Sequence, residues 1–264
     1  MTQISNYTNL DDAADATGAA GASSAADAAA LAQTIELTPL GISGFGEAKR
    51  RDVARTVDEA YRTLKAGVSA GAGEATSLLE SWAQAPDASG GRTPTPAPDD
   101  LERISLALKL KQVQLLKHVS MLENSASQLD ILARALATFS LAAQLANQAY
   151  ADHPLAERLL QRADELAASK QVADMSAVAV RLVIDTDKKT LDVLMQTITQ
   201  LIPQLDRSLK AHKRIEQLQR PFADGALLEE RQVIMQSARA LLLQESTARD
   251  AHAAAAAKLL SARK

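Results

Sequence analysis

The sequence predicts an all-α protein, an elongated bundle of long, coiled-coil-like helices behind a disordered N-terminal tail. Three observations predict it. The composition is 47% apolar but only 3% aromatic, with Ala and Leu dominant, as in long helices. Leucine recurs at every seventh position from Leu101 through Leu108, Leu115, Leu122 and Leu129 to Leu136. Neither Gly nor Pro interrupts residues 101–150, which as one helix would run roughly 75 Å.

Four regions follow in chain order. Residues 1–46 read as a disordered acidic tail: Ala, Ser, Thr, Gly and Asp dominate, with at most a transient helix around Ser23–Gln33. Asp11, Asp12, Asp15, Asp27 and Glu36 give this tail a charge of −5 with no Lys or Arg, against −3 for the whole chain. Gly41, Gly44 and Gly46 cluster around Phe45. With no preceding strand and no following Gly-Lys-Ser/Thr, they make a turn and not a phosphate loop. Residues 47–85 form a helical segment with Val53, Val57, Tyr61, Leu64 and Val68 on its apolar side, weakened by Gly67, Gly71 and Gly73. Trp82 near its end is read as a core or partner contact.

Residues 86–100, with four prolines and two glycines, are a linker. Pro98-Asp99-Asp100 supplies N-cap candidates for the helix after it. Residues 101–264 are the bundle. Ile104, Val119, Leu132 and Phe139 widen the leucine row of its first helix. That helix ends near Asp152-His153-Pro154, and a second spans Leu155 to about Lys170. A third runs from about Ala173 into the 210s on Val180, Ile184, Leu191, Leu194, Ile198, Ile202, Leu205 and Leu209. Pro203 should kink it, because proline lacks the amide hydrogen and clashes with the turn before it. A last helix spans Leu227 to about Leu260.

The search for chemistry returns little. There is no cysteine, which excludes disulfides, thiolate metal sites and thiol redox chemistry. The remaining charge, about +2 outside the tail, lacks the basic excess of a nucleic-acid binder. His118, His153, His212 and His252 are far apart in the chain, with no i, i+4 pair, so no metal or cofactor is expected. Asp185, Asp187 and Asp192 stand beside Lys188 and Lys189 and read as a solvated, self-compensating face. Lys210, Lys213, Arg214 and Arg220, with His212 among them, form the densest positive patch, a candidate contact for an anion or a partner. Lys49-Arg50-Arg51 is a smaller one.

No Sec-type leader is evident at the N-terminus. Ile131–Ala146, broken by Arg134 and Gln144, reads as a buried helix face and not a membrane span. The expected location is the cytoplasm, with peripheral contact at the inner membrane.

Arg162, Leu166, Arg181-Leu182-Val183, Leu191, Thr197-Ile198 and Leu201-Ile202-Pro203 follow one another at spacings that resemble the toxic-anion (tellurite) resistance, TelA-type family. The run Leu122–Leu136, with Leu129-Asp130, resembles that family's preceding helix. The match covers about a third of the chain. It departs at Thr186-Asp187, where the family carries an asparagine pair, and at Gln204-Leu205, where a tryptophan follows the proline. The resemblance implies a bacterial stress-resistance protein with no catalytic residues to carry over. Without thiols it would act indirectly, through partner proteins, self-association or the membrane surface. The rival is a secreted helical translocator, with residues 1–40 as export leader and Ile131–Ala146 as a membrane-active face.

Overall fold

The computed structural model describes residues 25–69, 98–204, 206, 207, 210 and 224–262. The protein is all-α, and no strand occurs among the described residues. After a helical stretch at residues 25–32 come α1 (Pro39–Gly44), α2 (Glu47–Ser69), α3 (Pro98–Ala149), α4 (Ala156–Gln196), a π-helical turn (Thr197–Leu201) and α5 (Asp224–Ala262). Chain contacts divide these into two compact units, residues 1–57 with 127–177 and residues 58–126 with 178–264.

In the first unit, folding begins earlier than the composition suggests. Thr38 caps α1 by accepting a 3.0 Å hydrogen bond from the Gly41 amide, and Pro39 opens the helix. Proline suits that position because its missing N–H would have no intrahelical partner there. Ile35 and Ile42 are then buried against Ala146 and Leu159, with Leu37, Phe45 and Leu155 around them. The tail expected over 1–46 is therefore corrected from residue 25 onward, since a few apolar residues suffice once a cap fixes their direction. The glycine cluster is a short helix followed by a turn, and only Gly46 takes a positive φ, 72°. A Cβ there would meet Leu166 at 2.7 Å and Phe139 at 3.2 Å.

Arg162, buried at 4% exposure, fastens this turn. Its Nε donates to the Phe45 carbonyl at 2.8 Å, while its two other nitrogens reach Glu165 at 2.6 Å and Glu47 at 3.0 Å. Arg50 joins through Glu47, Glu165 and the Ser169 hydroxyl. The hydrogen bond from Arg162, with the charges of Arg50 and Arg162, outweighs burial and holds the Glu47 carboxyl below its ordinary value.

In the second unit α3 presents Leu101, Ile104, Leu108, Val119 and Leu122 as buried residues. Leu108 and Ile104 pack with Leu194 of α4 and Leu241 of α5, and Leu115, Ile198 and Ile202 lie against that cluster. Lys111 pairs with Glu245 inside the same unit. Burial, helped by the charge of Arg249, lowers the Lys111 ammonium to about 8. In α5, Leu241, His252, Ala255 and Leu259 are buried, at offsets that keep one helical face inward.

One expectation about the third long helix changes. The separate helices expected on either side of residue 171 are one, Ala156–Gln196. Nothing between them breaks a helix, and Lys170 bridges to Asp174 at 2.6 Å across the supposed junction. Around Pro203, residues 202–204 remain helical behind the π turn. The Ile202 amide bonds the Thr197 carbonyl, five residues back. A π turn is a recognised way for a helix to accommodate a disturbed hydrogen-bond ladder.

Candidate functional site

Three helices of the second unit bring together residues that the sequence holds far apart. His118 comes from α3, Asp187 from α4 and His252 from α5. The Asp187 side chain is 1% exposed, that of His252 6% and that of His118 11%. His118 Nδ1 lies 3.0 Å from Asp187 Oδ2, and His252 Nε2 lies 2.8 Å from Asp187 Oδ1. The two imidazoles are stacked, with ring centroids 5.2 Å apart and planes 15° from parallel. Their outer nitrogens face the backbone of α2: His118 Nε2 is 3.0 Å from the Thr63 carbonyl, and His252 Nδ1 makes a long, 3.5 Å approach to that of Leu64.

Local sequence explains how each group is held. Gly67, in α2, clears the way for His118: a Cβ at that position would stand 2.4 Å from Nε2 and 2.6 Å from Cε1. Glycine in a helix costs about 1 kcal/mol relative to alanine, and the ring's approach to α2 is what that cost permits. Thr190 and Thr186 bond back to carbonyls of their own helix, which leaves Asp187 to the histidines. Gln244 of α5 reaches the Thr186 carbonyl at 3.5 Å.

The electrostatics are lopsided. Burial pushes the Asp187 carboxyl up, but hydrogen bonds from His118 and His252, together with their charges, win and leave it below its ordinary value. Every neighbour of the imidazole nitrogens in the contacts above is an oxygen acceptor. A neutral imidazole has one N–H to give and one lone pair to offer a cation.

The expectation of a solvated face at Asp185, Asp187 and Asp192 is thus corrected at its centre. Asp185 and Asp192 are exposed, while Asp187 and Thr190 are buried. Lys188 turns outward to Glu123 at 2.8 Å, and that contact raises its pKa. The reading of the histidines as unrelated is corrected for His118 and His252. His153 lies in the turn after α3, its ring nitrogen accepting from the Leu155 amide at 3.2 Å. In the proposed basic patch, Lys210 pairs with Asp206 at 2.6 Å; Lys213, Arg214, Arg220 and His212 lie outside the described residues, as does Trp82. The cluster at residues 49–51 is compensated by Glu47 through the half-buried Arg50 and the exposed Arg51.

Helix α3 carries a further feature. Leu106, Leu110, Val113, Leu116 and Met121 are exposed. At 3.6 residues per turn, Leu106, Leu110 and Val113 point about 180° from the buried Ile104, Leu108 and Leu122. The helix therefore has two apolar faces. It is long enough to cross a membrane, and its most apolar stretch of 18 residues has mean hydropathy 1.3, with 44% of that stretch buried within the protein.

Compared with protein-family models, curated proteins and solved structures, the chain matches none.

Proposed function

We propose that this chain is a non-enzymatic helical interaction protein that contributes to toxic-anion resistance by associating with other helical surfaces, its own copies included. The observation that carries the reading is the outward stripe Leu106, Leu110 and Val113, set opposite a fully employed core face on the same helix. Apolar surface left in water favours removal from it by about 25 cal/mol per Å², and a contiguous stripe marks an interaction surface more than scattered leucines do. The toxic-anion part rests on the residue pattern from Arg162 to Pro203. Within it Arg162 is buried and ion-paired, and Thr197–Leu201 forms the π turn.

The test is growth of a bacterial host across a tellurite gradient, expressing either the wild type or a Leu106→Glu/Leu110→Glu/Val113→Glu variant. The wild type should raise the tolerated concentration, and the variant should fold, remain monomeric by light scattering and fail to protect. Absence of any wild-type effect removes the toxic-anion reading. Equal protection by both proteins removes association through this stripe.

A second reading, a translocator that inserts α3 into a bilayer, is favoured by the length and hydropathy of that helix. Leakage of dye-loaded anionic liposomes, together with protein recovered from culture medium, would favour it over the first.

A further inference from the structure

We infer that His118, Asp187 and His252 form a binding site for one divalent cation of the zinc class, shared by α3, α4 and α5. The first argument is donor chemistry. Two imidazoles and one carboxylate are ligands that zinc accepts, and the chain has no thiolate to direct it toward copper(I) or iron–sulfur chemistry. The second is geometry. The ligating atoms of the three residues all lie within 4.8 Å of one another. Bonds of about 2.0–2.1 Å to a tetrahedral ion place ligand atoms about 3.3 Å apart. The observed 3.0 and 2.8 Å separations, made to the two different oxygens of Asp187, would open by a few tenths of an ångström, and the wider separations within the 4.8 Å limit would close.

The third argument concerns which ring nitrogens face the carboxylate and which face the backbone. The inner nitrogens, His118 Nδ1 and His252 Nε2, both point at the Asp187 carboxylate, and the rings are stacked 5.2 Å apart. One divalent cation on the inner side would be bound by the lone pairs of those two nitrogens and by the carboxylate. Each ring then keeps one N–H for the backbone, His118 Nε2 for Thr63 and His252 Nδ1 for Leu64. An outer N–H held by a carbonyl is the arrangement that fixes the tautomer of a metal-ligating histidine. Three protein ligands leave a fourth position for water. Of the three, His118 is the most exposed.

The probe is the full-length protein, stripped with a chelator and titrated with zinc(II) and with cobalt(II) in competition with a chromophoric chelator. The expected result is one equivalent bound with sub-micromolar affinity, intense visible bands from four-coordinate cobalt, and a rise in melting temperature on zinc addition. Asp187→Asn and His252→Gln, which keep side-chain volume, should each weaken binding at least tenfold and lose the thermal shift. X-ray absorption on the zinc-loaded wild type covers the case in which a variant does not fold, and should show scattering from two imidazoles. A folded wild type that binds no zinc above the level of either variant, or zinc without imidazole scattering, overturns the assignment and leaves a histidine pair bridged by the Asp187 carboxylate.

Discussion

Replacing Gly67 by alanine should destabilise this protein, although the same change in a helix ordinarily does the reverse. Alanine improves helix propensity by up to about 1 kcal/mol. Here the new methyl would lie 2.4 Å from His118 Nε2, 2.6 Å from Cε1 and 3.0 Å from Cδ2, closer than any van der Waals contact allows. The ring must move, and moving it breaks the 3.0 Å contact with the Thr63 carbonyl and loosens the 3.0 Å contact with Asp187. A hydrogen bond to a charged group contributes about 1.5–3 kcal/mol and a neutral one about 1. After the propensity gain, the net loss should be about 2 kcal/mol. Urea unfolding followed by circular dichroism reads this as a lower midpoint. The decisive control is the same substitution in a His118→Ala background, where the obstruction is gone and alanine should stabilise. A midpoint raised equally in both backgrounds would refute the claim that Gly67 exists to admit the histidine.

Three other outcomes are expected. Asp187→Asn should lower stability at neutral pH. The Asp187 pKa is depressed in the fold, so its contribution is present above the unfolded value of 3.8, and the gap between wild type and variant should close as pH falls through the lower folded value; urea midpoints measured across an acid series check this. Lys111→Met strands the buried carboxylate of Glu245 and should cost about 3 kcal/mol. Adding Glu245→Leu should recover most of that loss in thermal melts. Arg162→Lys keeps the charge but cannot serve Phe45, Glu47 and Glu165 together. It should cost about 1–3 kcal/mol and expose residues 25–46 to limited proteolysis.

The parts of the fold legible in the sequence are those written at short range. The seven-residue leucine row marks α3 because such spacing repeats on one side of a helix, and Leu108, Leu122, Leu129 and Leu136 are all fully buried. The candidate site left almost no such trace. His118 and Asp187 are 69 residues apart and Asp187 and His252 a further 65, on separate helices, so no spacing rule joins them. Asp187 was hidden by its neighbours, since two adjacent lysines and two flanking aspartates make any window look solvated. Only Gly67 hinted at something, as a helix-weakening residue whose reason lies on another helix. The second face of α3 was missed for a different cause. Leucines at Leu106, Leu110 and Leu116 merge with the core row in a one-dimensional reading, and only burial separates them.

The π turn at Thr197–Leu201 also bears on how the length of this chain can change. Such a turn holds one residue more than the α-helical ladder needs, a single-residue insertion absorbed without breaking the rod. Leu194, Ile198 and Ile202 all pack with one cluster despite successive steps of four, where a regular helix would rotate them progressively away from it. Deleting one residue between Gln196 and Leu201 should therefore close the ladder while leaving the flanking faces in phase. The same deletion in the unbroken stretch from Val180 to Leu191 would turn every later side chain by about 100° and misdirect the whole end of the helix.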